Sequence, residues 1–234
     1  MPFSARSRHN RTPTASSFDP TSGRVLVVSG DKGVLLSFKP DIDPKTGAID
    51  PAIDLGGSPE FLTSDGSGRA YVNLMDKNEV AVVDLAARKV VARWPVAPGG
   101  APVGMSLDPK TKRLFIGCRK PPKLIVMSTE TGQVVADLPI GEGVDATQVH
   151  QGIAFASCRD GKLILASESS SGKFSIVQTV PTPVGARTMG LDPATHTLFL
   201  PTAEYEPSKA GAASRPVTKP GTFRIVVVAD HPLP

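Results

Sequence analysis

The sequence predicts an all-β fold, a β-propeller of four-stranded antiparallel blades, about four to five in number. Three observations predict it. First, an acidic turn recurs: "FDPTSGRVLVVSG" carries Asp19, "TSDGSGRAYVNLM" Asp65, "LDPKTKRLFIGCR" Asp108 and "LDPATHTLFLPTA" Asp192, with His150 standing at that place in a fourth, degenerate copy. The steps are 46, 43, 42 and 42 residues. A period in the forties belongs to propeller blades or to helical solenoids. Second, the runs between turns, such as "RAYVNL", "EVAVVDL" and "KVVARWPV", are short, rich in Val, Tyr and Leu, and bounded by Gly, Pro, Asp or Asn. That is strand composition. Third, no stretch holds an amphipathic helical pattern for three turns, and Gly and Pro number 22 and 23, which disfavours long helices.

The elements follow in chain order. Residues 1–16 read as a disordered basic tail, with Arg6, Arg8 and Arg11 ahead of the first acid at Asp19. Blades are expected over about 17–60, 61–103, 104–145, 146–187 and 188–230, with 231–234 a short C-terminal tail. The second copy sets the pattern: innermost strand near "EFLTSD", then "RAYVNL", "EVAVVDL" and "KVVARWPV". The turns suit their residues, because Asp bonds its own backbone while Gly or Pro sets the dihedrals. The first copy carries an insertion, "SFKPDIDPKTGAIDPAIDLGG", between its outer strands. The fifth has strands "TLFLPTA" and "FRIVVVAD", separated by a Pro-, Ala- and Ser-rich loop, and lacks a fourth strand.

Composition bounds the partners. The net charge of +4 arises mostly at the N-terminus, and no basic run is interleaved with aromatics, so nucleic-acid binding is not expected. No apolar run reaches the ~20 residues of a membrane-spanning helix. The first residues do not form a secretory signal. A complete chain would therefore be cytoplasmic; one that lacks an N-terminal signal and blades would be periplasmic or extracellular.

The stretches "AYVNLMDKNEVAVVDLAARKVVARWPV" and "IVMSTETGQVVADLPIG" resemble the YVTN-type β-propeller repeat proteins. The motif residues are Tyr71-Val72-Asn73, Val80 to Asp84, Lys89-Val90-Val91, and the "TGQVV" step from Thr131 to Val135. The resemblance covers Ser17 to Asp230 and implies extracytoplasmic bacterial or archaeal proteins, often with seven blades, against which this chain is incomplete. It also implies kinship with WD40-like and lactonase propellers. It transfers no catalytic residue, and propellers host many unrelated activities.

Counting five residues back from each acidic turn gives Glu60, Val103, Asp145 and Arg187, which should follow one another around one channel rim. Two carboxylates and a guanidinium there suit a small polar ligand clamped by Arg187, or a divalent cation held by Glu60 and Asp145. The plainer expectation is that Arg187 neutralises Asp145 on the adjacent blade. Otherwise no cofactor is implied. Cys118 and Cys158 share one repeat position, in "FIGCR" and "FASCR", and read as structural thiols; a disulfide, or a thiol activated by Arg119 or Arg159, are the alternatives. His150 reads as a structural turn residue that His196 does not join at ligand spacing, and Trp94 as a cap on blade packing.

The leading functional expectation is a non-catalytic binding or scaffold protein, presenting loops and a central channel to an unidentified protein or small molecule. The alternatives are a metal-dependent, lactonase-like hydrolase with its site at the channel mouth, and a truncated propeller fragment without activity of its own.

Overall fold

A computed structural model describes residues 13–43, 45–206 and 217–229. It is an all-β propeller of five blades, four of them four-stranded and antiparallel. Blade 1 comprises β1 (Pro13–Asp19), β2 (Arg24–Ser29), β3 (Val34–Phe38) and β4 (Ile53–Asp54). Blade 2 comprises β5 (Pro59–Ser64), β6 (Arg69–Leu74), β7 (Glu79–Asp84) and β8 (Lys89–Pro95). Blade 3 comprises β9 (Pro102–Asp108), β10 (Arg113–Arg119), β11 (Pro122–Ser128) and β12 (Val134–Pro139). Blade 4 comprises β13 (Val144–His150), β14 (Ile153–Cys158), β15 (Lys162–Glu168) and β16 (Phe174–Pro181). Blade 5 has three strands among the described residues, β17 (Gly190–Asp192), β18 (Thr197–Thr202) and β19 (Arg224–Ala229).

The acidic turn is an Asp-centred device. Asp108 accepts from the Lys110 amide at 3.0 Å and the Thr111 hydroxyl at 2.7 Å. Asp192 repeats this with Ala194 and Thr195 at the same two distances. Each turn closes on a left-handed residue, Lys112 or His196 (φ 56° and 53°), immediately before the second strand of the blade. At Asp19 the carboxylate accepts from Ser22 and also from the Ser64 hydroxyl of the next blade, at 2.5 Å.

The innermost strands pack in succession, β1 on β5, β5 on β9 and β9 on β13, and form the inner side of the row of blades. The core is a series of apolar layers between blades. Leu26, Val28 and Leu35 of blade 1 meet Ala70, Val72 and Leu74 of blade 2. Tyr71, Val80 and Val82 of blade 2 meet Leu114, Ile116 and Met127 of blade 3. Phe115, Leu124 and Val126 meet Ala154, Ala156 and Ile164 in the third layer, and Leu163 of blade 4 meets Leu198 and Leu200 of blade 5 in the last. Alternate residues of one strand thus serve opposite neighbours, as the period of two demands.

Two motif residues gain a physical role. Trp94 on β8 stacks on Tyr71 with ring centroids 5.7 Å apart and lies over Gly132, the glycine of the "TGQVV" step. Wholly buried Asn73 donates to the carbonyls of Val103 and Gly104 on blade 3.

Two expectations change in detail. Strand β1 begins at Pro13, so it takes in four residues assigned to the basic tail; residues 1–12 and 230–234 lie outside the described residues. Polar side chains do not prevent this strand, because a backbone ladder to β2 holds it, from Ala15 opposite Val28 to Asp19 opposite Arg24. The innermost strands of blades 2, 3 and 4 start at Pro59, Pro102 and Val144, two residues before the expected divisions, and that of blade 5 starts at Gly190, two residues after its own. The blade 1 insertion folds back on its own blade: Asp50 accepts from Ser37 at 2.6 Å and pairs with Arg24 at 2.5 Å.

Candidate functional site

The starts of the innermost strands bring charged residues to one end of the inner row of strands. Glu60 is the second residue of β5 and Asp145 the second of β13; Arg187 stands just ahead of β17. Arg119, the last residue of β10, reaches sideways into the row from blade 3. Its Nε donates to the Val144 carbonyl at 2.8 Å, and its Nη2 donates to Asp145 Oδ1 at 2.6 Å. The other oxygen, Oδ2, accepts from the Thr188 hydroxyl at 2.9 Å and lies 3.6 Å from Arg187 Nε. The first contact is a charge-assisted hydrogen bond; the last is an ion pair only, and the Arg187 side chain stays 42% exposed.

The expected rim is therefore drawn together in part. Asp145 and Arg187 pair across blades 4 and 5, as the plainer expectation has it. Glu60 touches neither, but it feels the field of the cluster. Burial pushes its carboxyl above the ordinary range; the Arg119 charge pulls it down, and the Asp145 charge pushes it up again. Two acids and two guanidiniums from four successive blades thus form a compensated row, Glu60, Arg119, Asp145 and Arg187. Arg119 is the residue that sequence reasoning assigned elsewhere. In "FIGCR" it stands beside Cys118, and nothing in that pattern marks its reach to the next blade.

The backbone at this rim is strapped from behind. Asn73 bonds the carbonyl of Val103, and Ser157, which occupies the same repeat position two blades on, donates its hydroxyl to the Arg187 carbonyl. Arg187 also accepts from the Ala146 amide at 3.2 Å. The rim residues are set on a braced scaffold, which a binding or catalytic constellation requires.

The row does not suit a divalent cation. Among the described residues, no group of three or more His, Cys, Asp or Glu side chains is placed to hold one. Both Asp145 oxygens already face donors, and the two guanidiniums repel a cation at that spot. A cavity of about 70 Å³ between blades 1 and 2, lined by Ser22, Arg24, Ser37 and Arg88, is remote from the rim and has room for little more than water.

Cys118 and Cys158 are free, wholly buried thiols in two different interblade layers. Burial pushes both up to about 12, so the following arginines do not activate them. His150 and His196 depart from expectation. Their rings meet edge to face at 4.9 Å, and Gln151 lies 3.3 Å from His196 Nε2. The 46-residue separation conceals this, because adjacent blades place one turn beside the next.

No protein family description matches the sequence, and no curated protein does. Solved structures share the fold. Hydrazine synthase of Kuenenia stuttgartiensis superposes with a TM-score of 0.70 at 15% identity, over 97% of this chain and 66% of that one. Virginiamycin B lyase of Staphylococcus aureus gives 0.65 at 12% identity, over 82% of this chain and 64% of that one. A Bacteroides uniformis protein described as a candidate 6-phosphogluconolactonase gives 0.63 at 16% identity, over 74% and 56%. The chain spans less than two thirds of the length of each of these. At such identities the likeness is one of fold.

Proposed function

We propose that the channel mouth is a small-molecule site of hydrolase type, acting on a small ester or lactone that carries a carboxylate or phosphate. The observation that carries this reading is the convergence of charged groups from four blades on one rim, with a carboxyl, Glu60, held above its ordinary range among them. A carboxylate raised in this way is a stronger base than an ordinary one, as general-base catalysis asks. In the ionised form, Glu60 takes a proton from water as the water oxygen adds to the substrate carbonyl. The same proton then passes to the departing alkoxide, so that one ester and one water become an acid and an alcohol. Arg187, half-exposed, holds the anionic group of the substrate, and Asp145 is a positioning residue that fixes Arg119 and Arg187. The reading includes no metal. It draws support from propellers of this fold described as lyase and lactonase, and it includes kinship with YVTN-type repeat proteins, supported by the packing roles of Asn73 and Gly132.

A second reading rests on Asp145. Both its oxygens are engaged, so the row also works as a clamp that presents Arg187 to a ligand without turnover. One experiment separates the two. A panel of anionic lactones is assayed with the native protein, Glu60→Gln and Arg187→Ala. The hydrolase reading expects turnover that falls about 100-fold or more in Glu60→Gln, with KM raised in Arg187→Ala. Calorimetric binding of the hydroxy acids without turnover, lost only in Arg187→Ala, supports the clamp. Neither turnover nor binding removes both.

A further inference from the structure

Blades 3 and 4 carry an arginine at the same position of the fold. Arg119 follows Cys118, which pairs with Pro102 of the innermost strand, and Arg159 follows Cys158, which pairs with Val144. Both arginine amides bond back to the loop before that strand, Arg119 to the Ala101 carbonyl at 3.2 Å and Arg159 to the Gly143 carbonyl at 3.3 Å. What each side chain meets on the following blade differs. Arg119 finds a carboxylate, and its Nη2 donates to Asp145 at 2.6 Å. One repeat later the residue in the place of Asp145 is Arg187. The backbones run equally close there: Ser157 donates to the Arg187 carbonyl, and the Arg159 carbonyl accepts from the Gly185 amide at 2.9 Å. The stem of Arg159 lies along Gly143, where a Cβ would stand 2.9 Å from Arg159 Cβ and 3.6 Å from its Cδ. Arg159 is exposed, and among the described residues no carboxylate comes within ion-pair distance of it.

The slot between blades 4 and 5 therefore repeats the slot between blades 3 and 4 with its acid replaced by a second base. Asp145 does not balance the pair. Its Oδ1 is taken by Arg119, and its Oδ2 accepts from Thr188 and only faces Arg187 Nε at 3.6 Å. Two guanidiniums on adjacent blades repel unless an anion lies between them. We infer that a doubly charged oxyanion on the ligand, of the phosphate monoester kind, takes the place of the missing acid and accepts from Arg159 and Arg187 together. Planar guanidiniums suit such a group, since each offers paired donors to two oxygens. This slot deepens the site proposed above and rests on the assignment of Arg187 as the anchor of an anionic group. Arg159 becomes the residue that selects two charges over one.

The test is calorimetry of the native chain with inorganic phosphate at about pH 8, where phosphate is mostly doubly charged, with acetate as the singly charged control at matched ionic strength. Phosphate should bind at least about tenfold more tightly than acetate. Arg159→Ala should weaken phosphate about 10- to 100-fold, the loss of one charge-assisted hydrogen bond, and leave acetate nearly unchanged. Arg159→Gln, which keeps a stem on Gly143, should weaken phosphate likewise, so that charge is separated from packing. Lys110→Ala removes an exposed positive charge at the opposite ends of the strands and should change neither. Phosphate that binds no better than acetate overturns the inference, as does native-like phosphate binding in Arg159→Gln or an equal loss in Lys110→Ala. The anchor is scored apart from the slot. If Arg187→Ala loses the hydroxy acids while Arg159→Gln keeps phosphate, the slot fails and the anchor stands; if Arg187→Ala changes nothing, the anchor itself fails.

Discussion

The amide of Asn73 on β6 donates to the Val103 carbonyl on β9 at 2.9 Å, from a wholly buried position. The same amide reaches the Gly104 carbonyl at 3.0 Å. The bond joins the second strand of one blade to the start of the innermost strand of the next, and Ser157 does the same for Arg187. The asparagine of the Tyr-Val-Asn motif is thus a strap between blades.

Asn73→Ala should lower stability by about 1–3 kcal/mol, because two buried carbonyls lose their donor. Urea unfolding followed by circular dichroism should show a lower midpoint with an unchanged slope. A midpoint equal to the native value would mean that the strap carries no net stability.

Gly132→Ala should also destabilise, for a different reason. The glycine has φ +70°, and a Cβ there would lie 2.4 Å from the Trp94 indole. The left-handed backbone alone costs an alanine about 1 kcal/mol, and the indole must also move. Trp94 is the single tryptophan, so its emission reports the event directly. A lower melting temperature together with a shifted emission maximum is expected; a native-like spectrum would show that the indole yields without cost.

Much of this architecture was legible because its signals are local. An Asp that bonds an amide two residues on and a Thr three residues on writes itself into the sequence as "LDPKT" and "LDPAT". The pairing of Asp145 with Arg187 was legible for a related reason: counting back from that turn carries one rim position to the next. Arg119 was not legible. Its partners lie on another blade 25 and 26 residues away, and only the length of its side chain takes it there. The His150–His196 contact was hidden likewise, since it joins the end of one strand to the turn of a neighbouring blade. The start of β1 was missed because its polar residues carry no alternation of burial strong enough to mark a strand; backbone pairing with β2 defines it.

Glu60 and Asp19 should give opposite pH signatures. Burial raises the Glu60 carboxyl, so the folded state binds its proton more tightly than the unfolded chain does. The favourable contribution is present below the unfolded carboxylate value of about 4.3 and is lost as pH rises through the folded value. Glu60→Gln should therefore stabilise at neutral pH and gain little at about pH 3. For Asp19, burial alone would raise the carboxyl, but hydrogen bonds from Ser22 and Ser64 outweigh it and hold it low. Its contribution is present above the unfolded value and is lost as pH falls through the folded one. Asp19→Asn should cost most at neutral pH and least in acid. Denaturant midpoints of both variants at the two pH values check the pair, and parallel trends would refute the assignment of either group.

The thiols complete the set. Cys118 and Cys158 are wholly buried, and burial raises each to about 12, so at neutral pH the reactive thiolate is scarce as well as shielded. The neighbouring glycines enforce the shielding: a Cβ on Gly99 would lie 2.7 Å from the Cys118 sulfur, and one on Gly141 would lie 2.8 Å from Cys158 Cβ. These glycines let the loops between blades close directly over the cysteines. Titration of the native chain with an aromatic disulfide reagent should label neither thiol at pH 7.5 over the time in which urea-unfolded chain labels both. Gly99→Ala, by lifting the loop from Cys118, should make that thiol label first while Cys158 stays protected. Equal labelling of the two in Gly99→Ala would mean that global opening, not the local lid, governs access.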